Sequence, residues 1–143
     1  MSQAFYAEHL LALIDAAIIS AGFHVPDSLD GTTSTPKRHK SASTQRLSST
    51  NTRQYRNQDL TRVQDLIQVE AWFVKNPSAQ KASRAKAYKE MRKVRNAVTR
   101  LVGEVPVLAN IIHLADSDDV DGEYLTITSL FEVHRDEEVG RET

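Results

Sequence analysis

Apolar residues recur along this chain at two periods, and the switches between them mark its elements. From Ala4 to Ala21, Phe5, Leu10, Leu11, Leu13, Ile14, Ala17, Ile18 and Ala21 follow a helical repeat, and Gly22 supplies a stop. Apolar positions take up most of this helix's circumference, so it is expected to be buried. Phe23 to Pro26 then reads as a short extended piece, with His24 partly exposed. Period two begins further on. Ile67, Val69, Ala71 and Phe73 share one parity against Gln68, Glu70 and Trp72, the pattern of a half-buried strand. Asn76-Pro77-Ser78 forms a corner, because proline cannot donate to a ladder and restricts the residue before it.

After the corner the period returns to steps of three and four. Ala87, Met91, Val94, Val98 and Leu101 make one apolar helical stripe, flanked by Tyr88 and Val102, with Gly103 as the expected stop. Val105 to Ala115 predicts a short strand through Val107, Leu108, Ile111, Ile112 and Leu114. Leu125, Ile127, Ser129, Phe131 and Val133 alternate with Tyr124, Thr126, Thr128, Leu130, Glu132 and His134, predicting a final strand that forms an antiparallel hairpin with the one before it. The tail, residues 136–143, is polar and is expected to fray or meet a partner.

Two stretches lack either period. Residues 31–58 are rich in Ser, Thr, Asn and Gln and carry Lys37, Arg38, Lys40, Arg46, Arg53 and Arg56 with no acid. A polar run of this length predicts an insertion loop or arm that contacts nucleic acid or a partner subunit, or stays a surface loop. Tyr55 is its only aromatic, so it offers no stacking platform for single strands. The second stretch, Asp116 to Glu123, predicts an acidic turn. It is no calcium loop: with Gly122 sixth, Ser117 falls first and Thr128 twelfth, where carboxylates are needed.

Length and composition set the frame. At 143 residues and 40% apolar, residues 1–143 predict a single domain of the α/β (α+β) class. Its elements are a small, mostly antiparallel sheet, a buried N-terminal helix and a long basic amphipathic helix packed on the sheet. The chain has no cysteine, which removes disulfides, thiolate chemistry and Cys-ligated metals. The apolar run Leu10–Ala21 contains Asp15, has no basic region before it and is too short to span a membrane, so no membrane contact is expected.

Net charge is −1, but it is laid out in blocks: −4 over residues 1–30, +6 over 31–58, −1 over 59–78, +7 over 79–102 and −9 over 103–143. Such blocks either neutralise one another within a fold or meet between copies, as in a head-to-tail ring. Lys81, Arg84, Lys89, Arg92 and Lys93 on the basic helix are the expected interface partners of Asp116, Asp118, Asp119 and Asp121 on the next copy.

Catalytic chemistry finds no foothold in the sequence. His9, His24, His39, His113 and His134 never fall at i, i+4, and no phosphate-cradling glycine loop or nucleophile elbow occurs. His113 and His134 approach only if their strands pair, with Asp116 nearby, and a chance cross-strand pair outweighs a zinc site. No catalytic residue, metal site or cofactor is expected.

The order of helix, polar insertion, strand, basic helix, strand, acidic turn and strand resembles the tail-terminator (tail-completion) proteins of long-tailed phages. The residues that carry the likeness are Arg62 to Val69, the helix from Ser83 through Val98, and the closing run Leu125 to Arg135, within a span of roughly Leu10 to Arg135. The resemblance implies a virion structural protein of the tail–neck region with a lambdoid tail-terminator-like fold, assembled in the host cytoplasm. It implies a hexameric ring that caps the tail tube, meets a head-connector or stopper protein in head–tail joining, and has no active site. Another neck protein (head-completion or stopper) fits the same pattern. A small nucleic-acid-binding protein using the basic arm is the competing class, and non-specific contact with passing DNA suits either reading. A pI near 6.5 and the acidic C-terminal third weigh against the binder.

Overall fold

The computed structural model describes residues 7–25, 40–54, 60–74, 80–121 and 124–138. Two helices and four strands follow in the order α1 (Ala7–Ser20), β1 (Ser41–Gln54), β2 (Leu60–Val74), α2 (Gln80–Glu104), β3 (Leu108–Asp121) and β4 (Tyr124–Glu138). The unit α–β–β thus occurs twice. The strands form one sheet in the order β1-β2-β4-β3, and every pairing between them is antiparallel. This is an α+β fold. A single parallel bridge, His24 to Ser41, ties the segment after α1 to the start of β1.

The central pair, β2 with β4, runs without interruption from Leu60↔Glu138 to Val74↔Tyr124. The alternating parities explain why. Val63, Ile67, Val69, Ala71 and Phe73 on β2, and Leu125, Ile127, Phe131 and Val133 on β4, are all buried on one face. A one-residue slip of either strand would turn that set to the opposite face. Both helices lie on this face: α1 packs against β1 and α2, and α2 against β3 and β4. Leu10, Ile14 and Ile18 of α1 and Met91, Val94 and Val98 of α2 close one continuous core with the sheet.

Helix ends follow local chemistry. Gly22, at φ 96°, ends α1: its N–H donates to the Ile19 carbonyl and the Phe23 N–H to the Ile18 carbonyl. This is the Schellman arrangement, which needs a left-handed residue. Phe23 is thereby folded back onto Phe73, edge to face at 5.7 Å. Gly103 does not end α2, contrary to expectation; the helix runs through it to Glu104. The stop comes from Pro106, which disfavours helical backbone at Val105.

Two further expectations are corrected. Residues 31–58 are not a loop or arm throughout, because Ser41 to Gln54 form β1, paired along β2. A polar run can make an edge strand because the ladder to β2 satisfies its backbone, and only the first few positions need face the core. Ala42 is buried there, and Thr44 Oγ1 donates to Asp15 Oδ1 of α1 at 2.6 Å. Residues 31–39 and 55–58 lie outside the described residues. Likewise, Asp116 to Asp121 are not a turn but the second half of β3, in register with β4 from Ser129 to Tyr124. The tail also begins later than expected: β4 continues through Glu138, and residues 139–143 lie outside the described residues.

Candidate functional site

Each edge of the sheet is a 14-residue strand, about 47 Å long at the usual rise. Each carries two bulges, at Leu47 and Thr52 on β1 and at Ala109 and Leu114 on β3. Such irregularities twist an edge and limit indiscriminate pairing. The edges differ in charge. β1 has Arg46 and Arg53 and no acid; β3 has Asp116, Asp118, Asp119 and Asp121 and no Lys or Arg. Both expose apolar side chains: Leu47 on β1, and Ile112, Leu114 and Val120 on β3.

The acids expected to meet a neighbouring copy are partly engaged within their own chain. Asp118 Oδ2 accepts a hydrogen bond from the Tyr88 hydroxyl at 2.7 Å and lies 3.8 Å from Arg84 Nε. Burial, reinforced by Asp118 and Asp116, pushes the Tyr88 phenol up to about 12. Asp116 Oδ1 accepts from Ser129 Oγ at 2.5 Å and shares a 2.7 Å hydrogen bond with His113 Nε2. Asp119 caps the Val120 N–H at 2.8 Å. The contact between basic helix and acidic segment therefore forms within one protomer, because β3 lies directly beneath α2. The side chains of Lys81 and Asp121 lie outside the described set.

Five further cations of α2 are exposed, and Arg95 is half-buried. These are Lys86, Lys89, Arg92, Lys93 and Arg100; among the described residues, Lys93 alone of the five pairs with an acid, Glu90 Oε1 at 3.2 Å. Glu90 also holds Lys40 at 3.1 Å. Burial pushes the Glu90 carboxyl up, but hydrogen bonds and charge from Lys40 and Lys93 outweigh it and hold the group below its ordinary range.

Of the six residues expected on a partner-contacting arm, Lys40 is half-buried and engaged within its own chain. It takes a left-handed φ of 58°, and its ammonium lies 5.3 Å from the Phe23 ring centre. With Glu90 this clasp joins the end of α1, the start of β1 and the middle of α2. Cation–π and ionic contacts together offset the roughly 1–2 kcal/mol cost of that backbone. Arg46 is exposed on the β1 edge, and Arg53 lies further along the same strand. Lys37, Arg38 and Arg56 lie outside the described residues.

The histidines do not converge. β3 and β4 pair, but His113 registers with Phe131 on the helix face, and His134 with Asn110 on the opposite face, where it meets Glu132 at 2.6 Å. Ser129, Asp116 and His113 are joined through the carboxylate rather than the imidazole. The histidine therefore cannot act as base toward that buried hydroxyl in the triad manner. Among the described residues no group of three or more His, Asp or Glu is placed to hold a metal, and no helix is long and apolar enough to cross a membrane.

One feature escaped the sequence reading altogether. Asp65 and Arg135 form an ion pair, Nε to Oδ2 at 2.5 Å, with side chains 0% and 1% exposed. Asp65 occupies the inward parity of β2, between Val63 and Ile67, and Arg135 that of β4, after Val133. A charged residue at an inward position was the available signal. Comparison with protein-family models and with curated proteins finds no match to the chain.

Proposed function

We propose that the chain is a structural virion protein of a long-tailed phage, a tail terminator whose copies form a ring that caps the tail tube and joins it to a head-connector or stopper protein. The observation that carries this reading is the opposite charge of the two sheet edges, which among the described residues pair with no further strand beyond the His24–Ser41 bridge. Arg46 and Arg53 on β1 attract the β3 aspartates of another copy, whereas β1 with β1 and β3 with β3 repel. Charges that forbid like edges and favour unlike ones select a head-to-tail interface, which closes into a ring when its rotation permits. Leu47, Leu114 and Val120 add apolar area along those edges.

In this reading the protomer is a buried N-terminal helix and a long basic helix on one face of the sheet, with the edges left for neighbours. The interface moves from the outer face of α2, where the sequence pattern suggested it, to the sheet edges, since Arg84 and Asp118 already meet within the chain. A hexamer, its place in the virion neck, and the tube and connector as partners follow from the family likeness of Arg62–Val69, Ser83–Val98 and Leu125–Arg135.

The test is mass in solution by light scattering, at low and moderate salt, with and without tail tube protein. A discrete ring is expected, formed alone or on tube protein. Arg46→Glu with Arg53→Glu should abolish it, as should Asp119→Lys with Asp121→Lys, and the four changes together should recover it in part, because the new acids on β1 then meet lysines on a β3 edge of zero net charge. A chain that stays monomeric at every salt concentration and ignores tube protein would overturn the proposal.

A further inference from the structure

We infer that the outer face of α2 is a binding surface for the phosphate backbone of duplex nucleic acid, engaged without reading its sequence. This does not rest on the ring reading, which uses the sheet edges. From Arg84 to Arg100 the exposed side chains of the helix include no acid; Lys86, Lys89, Arg92, Lys93 and Arg100 stand on one outward-facing side. The acids beside this stretch lie on its flanks and are committed there, Asp116 to Ser129 and His113, and the exposed Glu104 stands one turn beyond Arg100 at the helix end. Glu90 holds Lys40 and Lys93 on one side, and Asp118 holds Tyr88 and Arg84 on the other. Lys86, Lys89, Arg92 and Arg100 are left for an external counter-charge, and Lys93, shared with Glu90, adds to their field.

Helix stability does not account for them. The first turn of α2 has no acid and the last turn no base, and cations accumulate in the N-terminal half, against the macrodipole. The partner's class follows from what the face lacks. No large apolar residue of α2 is exposed; the exposed ones lie on α1, β1, β2 and β3. A protein partner is held chiefly by buried apolar or aromatic anchors, and this surface offers none. It has no exposed aromatic either, so unpaired bases find nothing to stack on.

A duplex backbone needs neither. Lys86 to Arg100 span about 21 Å at the helical rise. Over that length one strand of B-form duplex presents about six phosphates, against five cations.

The test is fluorescence anisotropy of two labelled duplexes of unrelated sequence, titrated with the full chain over a range of salt. Equal affinity for the two is expected, with a log–log salt slope of about −4 to −5. Between about 50 and 200 mM salt that slope means a loss of roughly 500-fold. Lys86→Gln, Lys89→Gln and Arg92→Gln together should bring the slope to about −2. Gln keeps helix propensity at these exposed positions, and an unchanged unfolding midpoint checks the fold. Lys86→Arg, Lys89→Arg and Arg92→Lys should retain binding. Three results would each overturn the inference: no binding at about 50 mM salt, an unchanged slope in the Gln variant, or displacement of duplex by polyglutamate at a lower charge concentration than by unlabelled duplex. The last would point to an acidic polypeptide instead.

Discussion

Removing either partner of the Asp65–Arg135 pair should be among the most damaging single changes in this protein. Both side chains are withdrawn from water, so a survivor is left in a medium that solvates its charge poorly. Breaking a buried pair in this way costs about 3–5 kcal/mol, against a total of about 5–15 kcal/mol for a domain. Arg135→Met leaves the worse remainder, since Asp65 Oδ1 already has no hydrogen-bond partner and Oδ2 would lose its own. Asp65→Leu with Arg135→Met removes both charges and the unsatisfied oxygen, and should fall near wild type or exceed it by about 1–4 kcal/mol. Urea unfolding of the four chains gives the cycle. At a slope of about 2 kcal/mol/M, Arg135→Met should lower the midpoint by about 2 M, and the double variant should recover it. Losses under about 1 kcal/mol in both single variants, as for a solvated surface pair, would refute the reasoning. So would a double variant whose loss is the sum of the two.

The two described glycines should respond oppositely to alanine. Gly22→Ala meets the left-handed backbone of the α1 stop and should lose about 1–2 kcal/mol. Gly103→Ala has open space for its methyl inside α2 and should gain about 0.5–1 kcal/mol; both are read from thermal or urea midpoints. Because the Glu90 carboxyl is held low in the fold, its contribution is present above its ordinary value of 4.5 and fades as pH falls through the lowered one. The stability difference between wild type and Glu90→Gln should therefore shrink in acid, and a difference flat with pH would refute that account. Tyr88 has the opposite sense: its neutral phenol is favoured by the fold, so its contribution is full below pH 10 and lost as pH rises toward about 12. Difference absorbance should show a late-titrating component that Tyr88→Phe removes, and an unchanged curve would refute the assignment to Tyr88.

The parts of the fold that could be read from sequence are those that bury one side. β2, β4 and the α2 stripe alternate because the core covers one face of each, and their inward sets appear at the expected parities. β1 left no such trace. Beyond Thr44 its described residues are mostly exposed, and it is a strand because β2 offers it a ladder, a fact of register rather than of composition. The second half of β3 hid for a related reason. Four aspartates in six residues look like a turn, yet an edge strand tolerates charges that a central one could not. The charge of Lys40 shows in the sequence, but the Phe23 ring and Glu90 that receive it are distant along the chain.

The unbroken register of β2 on β4 also constrains the order in which the chain can fold. Its pairs join residues far apart, from Val74 with Tyr124 out to Leu60 with Glu138, with α2 and β3 lying between the strands. Closing so large a loop has an entropic cost before the contacts compensate for it. The β1–β2 and β3–β4 hairpins are local by comparison and can form earlier. Each α–β–β half would then carry an inner strand with an unsatisfied ladder until it docks on the other. Slow zippering of that seam, rather than hairpin formation, should set the refolding rate. During that interval the exposed inner strands, and not the charged outer ones, are where a partly folded chain is most prone to stick to its neighbours.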